Sequence, residues 1–258
     1  MNQAERRRAL IDALLDERRG YEKIDVPADE GGQRTLLRSL FNVRMPAPAS
    51  ERFLKIQDEY LKEEIRLKGI ADEKDILPLR GRLCLWQGDI TLLKCDAIVN
   101  AANSGMTGCY RPMHNCIDNC IHTFSGVQLR YKCALIMEEQ GYDEPTGQAK
   151  ITPAYNLPSS YIMHTVGPVV GYQLKPGREE QLASCYTACL RLTDKNALKS
   201  VAFPCISTGV FGYPKEQAAA TAVKAVSGYL AGDTQIEKVI FNVFSDEDRQ
   251  IYEKLLKT

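Results

Sequence analysis

The chain has 258 residues, 44% of them apolar, and its 33 lysines and arginines balance 33 aspartates and glutamates. This is the composition of a globular protein long enough to bury a full core. Without a basic excess to offset phosphate, we do not expect the chain to bind nucleic acid. Its apolar runs fall well short of the ~20 residues that cross a bilayer, so we expect no membrane span, no signal peptide and no membrane partner.

Nine cysteines occur in the chain, and their number and placement favour reduced thiols in a cytoplasmic protein over a disulfide framework. Some of them are candidates for metal binding. Six fall at apolar positions of predicted strands or helices and are expected to be inert: Cys84, Cys95, Cys133, Cys185, Cys189 and Cys205. His122 and His164 also lie on apolar periodic elements, where we expect structural histidines with satisfied hydrogen bonds.

Residues 1–77 are predicted to form an α-helical N-terminal extension. Apolar residues recur with helical period around Leu10–Leu15 and again around Phe53–Ile65. The segments VPADEGG and MPAPAS lie between these windows, and their Pro and Gly residues are expected to break any regular element. Because the apolar faces of the helices need cover, we expect the extension to pack on the main domain.

Residues 78–258 are predicted to form one three-layer α/β/α domain, in which buried strands alternate with helices. The predicted strands are 82–86, 95–100, 161–165, 200–205 and 238–243. The predicted helices are 118–132, 180–194, 215–230 and 247–257.

Two early motifs have the composition of a ligand-binding loop. GDIT, residues 88–91, follows the first predicted strand, and AIVNAANSGMTGC, residues 97–109, runs out of the second. Small residues let a ligand approach the backbone, and Asn can donate to and accept from ribose hydroxyls. The alternative is an Asn-rich turn with a capping Asp.

A third motif, ISTGVFGYP at residues 206–214, lies between a predicted strand and a predicted helix. A Gly-containing loop at a helix N-terminus gathers backbone N–H groups around one concavity, which suits a diphosphate. The motif matches neither standard phosphate-loop pattern, so a plain strand-to-helix connection is the alternative.

Five segments together, GDIT, AIVNAAN, DNCIH, HTVGP and STGVFGYP, resemble in order and spacing those of macrodomains, the ADP-ribose-binding modules. The resemblance covers about residues 80–258 and implies a mixed, largely parallel sheet between helices. It also implies that Asp89, followed by Ile90, reads the adenine amino group, that Asn103 holds the distal ribose in the catalytic site, and that the 207–213 loop cradles the diphosphate. The implied loop contacts are Ser207, Thr208, Gly209, Val210, Phe211 and Gly212.

The segment GCYRPMHNCIDNCIH, residues 108–122, separates this chain from ordinary macrodomains, many of which have a run of glycines there. Cys109, His114 and Cys116 offer two thiols and an imidazole, a set that suits tetrahedral zinc. Three close ligands without an obvious fourth are typical of a catalytic site with one open position. The segment resembles the zinc-dependent branch of macrodomains, which is associated with the removal of ADP-ribose from modified proteins.

Asp118 follows this segment at the start of a predicted helix, where an Asp is commonly a cap or a dipole partner. It also matches the position of the acid that macrodomain hydrolases place near the distal ribose. The resemblance thus predicts a Zn²⁺-dependent hydrolase that releases mono-ADP-ribose from an ADP-ribosylated protein by cleaving the bond at C1 of the distal ribose, with Asp118 and Asn103 as catalytic residues. An ADP-ribosyltransferase that adds the mark is a possible partner.

Two alternatives stay open at this stage. The chain could be a reader that binds ADP-ribose without turning it over, although a reader has no use for an open metal site. Zinc could also be purely structural, with Cys120 as a fourth ligand, because Cys120 lies one helical turn after Cys116 on the same helix face. Core packing is nevertheless the favoured role of Cys120.

Overall fold

The computed structural model describes residues 1–17, 20–171 and 173–257. The helices are α1 (Gln3–Asp16), α2 (Glu30–Val43), α3 (Glu51–Lys68), α4 (Ile117–Ser125), α5 (Val127–Gln140), α6 (Arg178–Lys195), α7 (Lys215–Leu230) and α8 (Asp246–Lys257). The strands are β1 (Ala71–Asp72), β2 (Pro78–Arg80), β3 (Leu83–Gln87), β4 (Leu93–Lys94), β5 (Ala97–Ala101), β6 (Ala149–Pro153), β7 (Tyr161–Thr165), β8 (Ser200–Phe203) and β9 (Lys238–Val243). None of the described helices combines the length and apolarity needed to cross a bilayer.

The main sheet has seven strands in the order β2-β3-β9-β8-β5-β7-β6. Its five central strands run parallel, and the edge strands β2 and β6 are antiparallel to their neighbours. The mixed, largely parallel sheet is therefore confirmed, and the five predicted strands are its parallel centre. Because all five run the same way, their carboxyl ends lie along one edge of the sheet.

Both faces of the sheet are covered, because alternate residues of a strand point to opposite sides. In β5, Val99 packs in a core with residues of α6, α7 and α8. Its neighbour Ile98 packs in a second core, which includes Ile121 of α4 and Leu129 of α5. These cores make the three-layer α/β/α architecture that the alternating pattern predicts.

The helices α1, α2 and α3 precede the sheet and share a core of their own, which includes Val127 at the start of α5. Ile65 of α3 reaches further and packs in the core beneath Ile98. The predicted packing of the helical extension on the main domain is thus observed. The same stretch of chain also contains β1, which pairs in parallel with β4.

Two expectations about the helices are wrong. The VPADEGG segment does not break regular structure throughout, since α2 begins inside it: Asp29 caps the helix and accepts from the Gly32 N–H at 2.7 Å. The predicted helix 118–132 is divided into α4 and α5 at Gly126, which has a φ of 104°. Glycine is favoured at this break, because other residues rarely adopt that φ and a Cβ there would lie 2.6 Å from Gln57 Nε2 on α3.

Candidate active site

The loops that carry the predicted site residues all leave the carboxyl edge of the sheet. Asp89 follows β3, Asn103 follows β5 and the 207–213 loop follows β8. Since β3 and β5 are separated by β9 and β8, the loop after β8 lies between the other two. The sheet therefore brings three segments that are far apart in sequence to one edge.

Asp89 caps the short 3₁₀ turn Ile90–Leu92. Its Oδ1 accepts from the Thr91 N–H at 3.0 Å and from Thr91 Oγ1 at 2.7 Å. Within the described chain Oδ2 has no hydrogen-bond partner, so this oxygen is available to a ligand. The Ile90 side chain is buried in the core, and any ligand contact of Ile90 therefore involves its backbone.

The loop after β8 is held in shape by its own backbone. The Gly212 N–H donates to the Gly209 carbonyl at 2.9 Å, and the Tyr213 N–H donates to the Ser207 carbonyl at 2.9 Å. At the tip, the N–H groups of residues 209–211 make no hydrogen bond to any described residue, and Gly209 and Val210 are exposed. Three consecutive N–H groups without internal partners form a concavity that suits an anion.

This loop is also braced by the loop that follows β7. The Val170 N–H donates to the Phe211 carbonyl at 2.8 Å. Ser207 is buried with a φ of 67°, and a Cβ at Gly167 would collide with its hydroxyl oxygen. Gly167, in the predicted HTVGP motif, is therefore required so that the loops after β7 and β8 can approach each other.

Asp118, in the first turn of α4, is buried against two amides from β5 and its loop. Asn100 donates from Nδ2 to Oδ1 at 2.8 Å, and Asn103 donates from Nδ2 to Oδ2 at 3.1 Å. Burial raises the pKa of Asp118 to about 6, although these two hydrogen bonds and the Arg130 charge favour the ionised form. Asn103 and Asp118, predicted together as catalytic residues, are thus in direct contact.

His122 and His164 lie beneath this carboxylate. His164 is fully buried, pairs with Thr152 Oγ1 at 2.9 Å and with Asn100 Nδ2 at 3.2 Å, and burial lowers its pKa to about 3. It is the satisfied structural histidine that the sequence predicts. His122 is buried too, but neither of its ring nitrogens has a hydrogen-bond partner among the described residues, so the expectation of a satisfied side chain is wrong there.

Cys109, His114 and Cys116 converge in the loop between β5 and α4. Their ligand atoms all lie within 4.8 Å of one another, and Cys109 Sγ is 3.6 Å from His114 Nδ1. In a tetrahedral zinc site with the usual Zn–S and Zn–N bond lengths, a sulfur ligand and a nitrogen ligand lie about 3.6 Å apart. The donor set therefore suits zinc in both chemistry and spacing.

Cys120 lies outside this group of three. Its thiol is half-buried, and its Sγ lies 3.7 Å from the guanidinium of Arg38 on α2. Cys120 thus faces the extension, a position that neither the fourth-ligand alternative nor plain core packing describes.

Comparison with known proteins decides the family. Residues 99–222 match the Macro domain family, and a protein named Protein-ADP-ribose hydrolase from Treponema medium is 55% identical over 99% of this chain and 100% of its own length. The chain belongs to the macrodomain family. A second protein of that name, from Staphylococcus aureus strain MSSA476, is 45% identical over 95% of this macrodomain and 92% of its own chain.

Solved structures agree with this assignment. The crystal structure of the Trypanosoma brucei macrodomain in complex with ADP-ribose superposes with a TM-score of 0.65 at 28% identity, over 85% of this chain and 94% of its own. The family resemblance carried by the five motifs is therefore confirmed.

Three features of the macrodomain's site were not found from the sequence. Asn100 could have been noticed as an amide inside an otherwise apolar strand. Phe244 is 79% exposed immediately after β9, and its carbonyl accepts from Gln87 Nε2 at 3.2 Å, which places it beside the Asp89 turn. The third feature is the set of contacts between α2 and the loop between β5 and α4 that carries Cys109, His114 and Cys116, called the Cys/His loop below. The sequence gives no sign of these contacts, because they join segments more than 70 residues apart.

Proposed function

We propose that this macrodomain is a protein-ADP-ribose hydrolase that releases mono-ADP-ribose from a modified protein side chain by cleaving the bond at C1 of the distal ribose. The observation that carries the proposal is the buried Asp118 carboxylate, fixed by Asn100 and Asn103 at the same sheet edge as the unpaired loop N–H groups. The names of the Treponema and Staphylococcus relatives support the same reaction.

The ADP portion would bind across the carboxyl edge. Asp89 Oδ2 accepts a hydrogen bond from the adenine amino group. Phe244 is exposed and its backbone carbonyl bonds Gln87, two residues before Asp89, so its ring is available as a flat apolar surface for the base. The N–H groups of residues 209–211 donate to the diphosphate. Binding energy from these remote contacts holds the distal ribose against Asn103 and Asp118.

Zinc is the proposed cofactor, with Cys109, His114 and Cys116 as its ligands. Their donor atoms have the identity and spacing that a tetrahedral ion needs, and three protein ligands leave one position open. Bound zinc would supply Lewis-acid chemistry at neutral pH beside the distal ribose. With these ligands the chain would belong to the zinc-dependent branch of the family.

Asp118 acts as the general base. Its two hydrogen bonds fix both carboxylate oxygens, and a pKa of about 6 lies close to neutral pH, as suits a general base. The carboxylate takes a proton from the water whose oxygen bonds to C1, while the bond between C1 and the side-chain atom of the modified protein breaks. That side-chain atom leaves with the bonding electron pair and takes up the proton that Asp118 gained from the water. Asn103 orients the ribose through the acceptor oxygen of its amide, because its Nδ2 is already committed to Asp118 and to the Gly108 carbonyl.

The biological context of the proposal is a pair of opposing enzymes. The substrate is an ADP-ribosylated protein, and an ADP-ribosyltransferase that adds the mark is the proposed partner, both in the cytoplasm.

The test combines metal analysis of the purified protein with a release assay on mono-ADP-ribosylated protein, with and without chelator. We expect bound zinc and release that stops when zinc is removed. Turnover that continues in zinc-free protein would contradict the metal mechanism. No turnover on any ADP-ribosylated linkage would favour the reader.

A further inference from the structure

Helix α2 of the N-terminal extension touches the Cys/His loop directly. Arg38 Nη2 donates to the carbonyl of His114 at 3.0 Å and lies 3.2 Å from Asn115 Oδ1. The same nitrogen lies 3.3 Å from Asn119 Oδ1 and 3.7 Å from Cys120 Sγ at the start of α4. One guanidinium from the extension thus contacts both the end of the loop and the helix that follows it.

Asn42, one turn further along α2, holds the middle of the loop. Its Oδ1 accepts from the Met113 N–H at 3.0 Å, and its Nδ2 donates to Thr123 Oγ1 on α4 at 2.8 Å. Asn42 is 1% exposed, so these bonds do not compete with bulk water. Met113 has a φ of 57°, which is unfavourable for a side chain with a Cβ. The bond from Asn42 therefore stabilises a strained residue directly before His114.

The beginning of the loop is tied to the same end of α2. Arg130, buried on α5, donates from Nη1 to the carbonyls of Asn42 and Arg44 at 2.7 Å each, and its Nη2 lies 3.4 Å from the Cys109 carbonyl. The backbone of Cys109 and the C-terminal end of α2 thus share one guanidinium. His114 is thus contacted by Arg38 of α2 directly, and Cys109 is linked to the end of α2 through Arg130, so α2 is connected to both of these candidate ligands.

We propose that Arg38 and Asn42 are positioning residues for the metal site, so that the N-terminal extension is part of the machinery that sets zinc affinity. The inference rests on the proposed zinc site. A loop with a strained residue does not hold three donors at ion-binding distances unaided, and groups that orient metal ligands typically change metal affinity by about 10-fold to 100-fold when removed. Arg38 also contacts the Cys120 thiol, and this contact holds Cys120 away from the three-ligand group.

The test measures zinc affinity of the full chain by competition with a colorimetric chelator. Arg38→Gln and Asn42→Ala are expected to weaken zinc binding on the order of 10-fold to 100-fold, and Arg38→Lys, which keeps the charge and a donor, is expected to recover part of the loss. The matched control is Arg34→Gln, one turn earlier on α2, because Arg34 pairs with Glu30 and Glu64 rather than with the loop. This control is expected to bind zinc like the wild type.

A second measurement needs no metal. Amide hydrogen exchange of the zinc-free protein is expected to quicken over residues 109–116 in Arg38→Gln and Asn42→Ala, with the sheet still protected, which separates a loosened loop from a variant that fails to fold. Wild-type zinc affinity and exchange in both variants would overturn the assignment of Arg38 and Asn42. A wild type that binds no zinc would overturn the proposed metal site itself, and the assignment with it.

Discussion

Asn100 donates a hydrogen bond to Asp118 at 2.8 Å, from the middle of the sheet to the first turn of the helix beside it. The carboxylate is 6% exposed, so its position is fixed by the fold and not by solvent. Asn100 Nδ2 also lies 3.2 Å from His164 Nδ1, which continues the polar chain into the core. A buried acid held in this way is suited to proton transfer, because it loses little freedom when it acts.

Replacing Asp118 tests this role. Asp118→Asn keeps the size of the side chain but removes the base, and we expect release of ADP-ribose to fall by roughly 10²–10⁴-fold. Affinity for free ADP-ribose should change little, because the adenine and diphosphate contacts lie elsewhere. Single-turnover release and calorimetry on the same samples measure the two effects. Asp143→Asn, an exposed acid that pairs with Ser104, is the control, and wild-type release by Asp118→Asn would refute the assignment.

Asp89 allows a variant that separates adenine binding from folding. In Asp89→Asn, the side-chain oxygen can still cap the 3₁₀ turn at Thr91, as Oδ1 does now, but the amide presents N–H groups at the position where Oδ2 is proposed to accept from the adenine. We expect an affinity loss on the order of 1–3 kcal/mol with an unchanged melting temperature. Titration calorimetry with ADP-ribose checks it, and unchanged affinity would mean that the base lies elsewhere.

The two glycines of the loop after β8 should respond differently to a side chain. A Cβ at Gly209 meets nothing within 4 Å, whereas Gly212 has a φ of 69° and its Cβ would lie 3.0 Å from the Val170 carbonyl oxygen. We therefore expect Gly209→Val to weaken ADP-ribose binding without a loss of stability, and Gly212→Val to lower both. Thermal melts beside calorimetry distinguish them. Equal behaviour of the two variants would show that the loop tip does not face the ligand.

Much of the fold follows from local pattern. The five parallel strands are buried on both faces and read as short apolar runs, which is why they could be predicted. The edge strand β6 was not predicted, because polar and apolar residues alternate along it and Lys150 and Thr152 interrupt the apolar run. The start of helix α2 was not predicted, because glycines were expected to break regular structure. These glycines lie in the first turn, where Asp29 caps the helix and glycine costs little stability.

The site residues likewise divide into those that the sequence predicts and those that it does not. Short motifs contain Asp89, Asn103, Asp118 and the three proposed zinc ligands, and the structure brings these residues to one sheet edge or loop. Asn100 and Arg38 lie outside those motifs, and their contacts depend on which strands pair and where α2 docks. Sequence pattern does not determine such long-range contacts, so these residues emerge only from the three-dimensional arrangement.

His164 predicts how the macrodomain responds to acid. In the native state its pKa is about 3, because burial disfavours the charged ring, whereas an unfolded histidine has a pKa near ~6.5. Above that value the ring is neutral in both states and contributes no pH dependence. Between ~6.5 and ~3 the unfolded state binds the extra proton, so the free energy of unfolding falls by up to about 1.4 kcal/mol per pH unit as the pH is lowered.

His164→Gln should flatten this dependence. The substituted amide can still pair with Thr152 or Asn100 but does not titrate, so the difference in unfolding free energy between about pH 6.5 and about pH 5 should shrink relative to the wild type. Because burial also lowers the pKa of His122, part of the dependence should persist. Urea unfolding at both pH values measures it, and parallel curves for the two proteins would show that His164 is not the group responsible.

Variants of the proposed zinc ligands can distinguish a catalytic metal from a structural one. Cys116 caps α4, its Sγ accepting from the Asn119 N–H at 3.4 Å, and Cys116→Ser keeps a capping oxygen while it removes the thiolate that zinc prefers. We expect this variant, like Cys109→Ala and His114→Ala, to lose the zinc ion that we expect to copurify with the wild type. Cys185→Ala, at a fully buried thiol on α6, should keep the ion even if its melting temperature falls.

The consequences of that loss distinguish the two roles of the metal. If zinc takes part in the reaction, Cys116→Ser should stop the release of ADP-ribose and leave most of the affinity for free ADP-ribose, since Asp89 and residues 209–211 are untouched. If zinc only closes the loop, the melting temperature and the affinity should fall together while release continues wherever ligand still binds. Single-turnover release, calorimetry and a thermal melt on Cys116→Ser and Cys185→Ala decide between them. Full zinc content in Cys116→Ser would refute the ligand set itself.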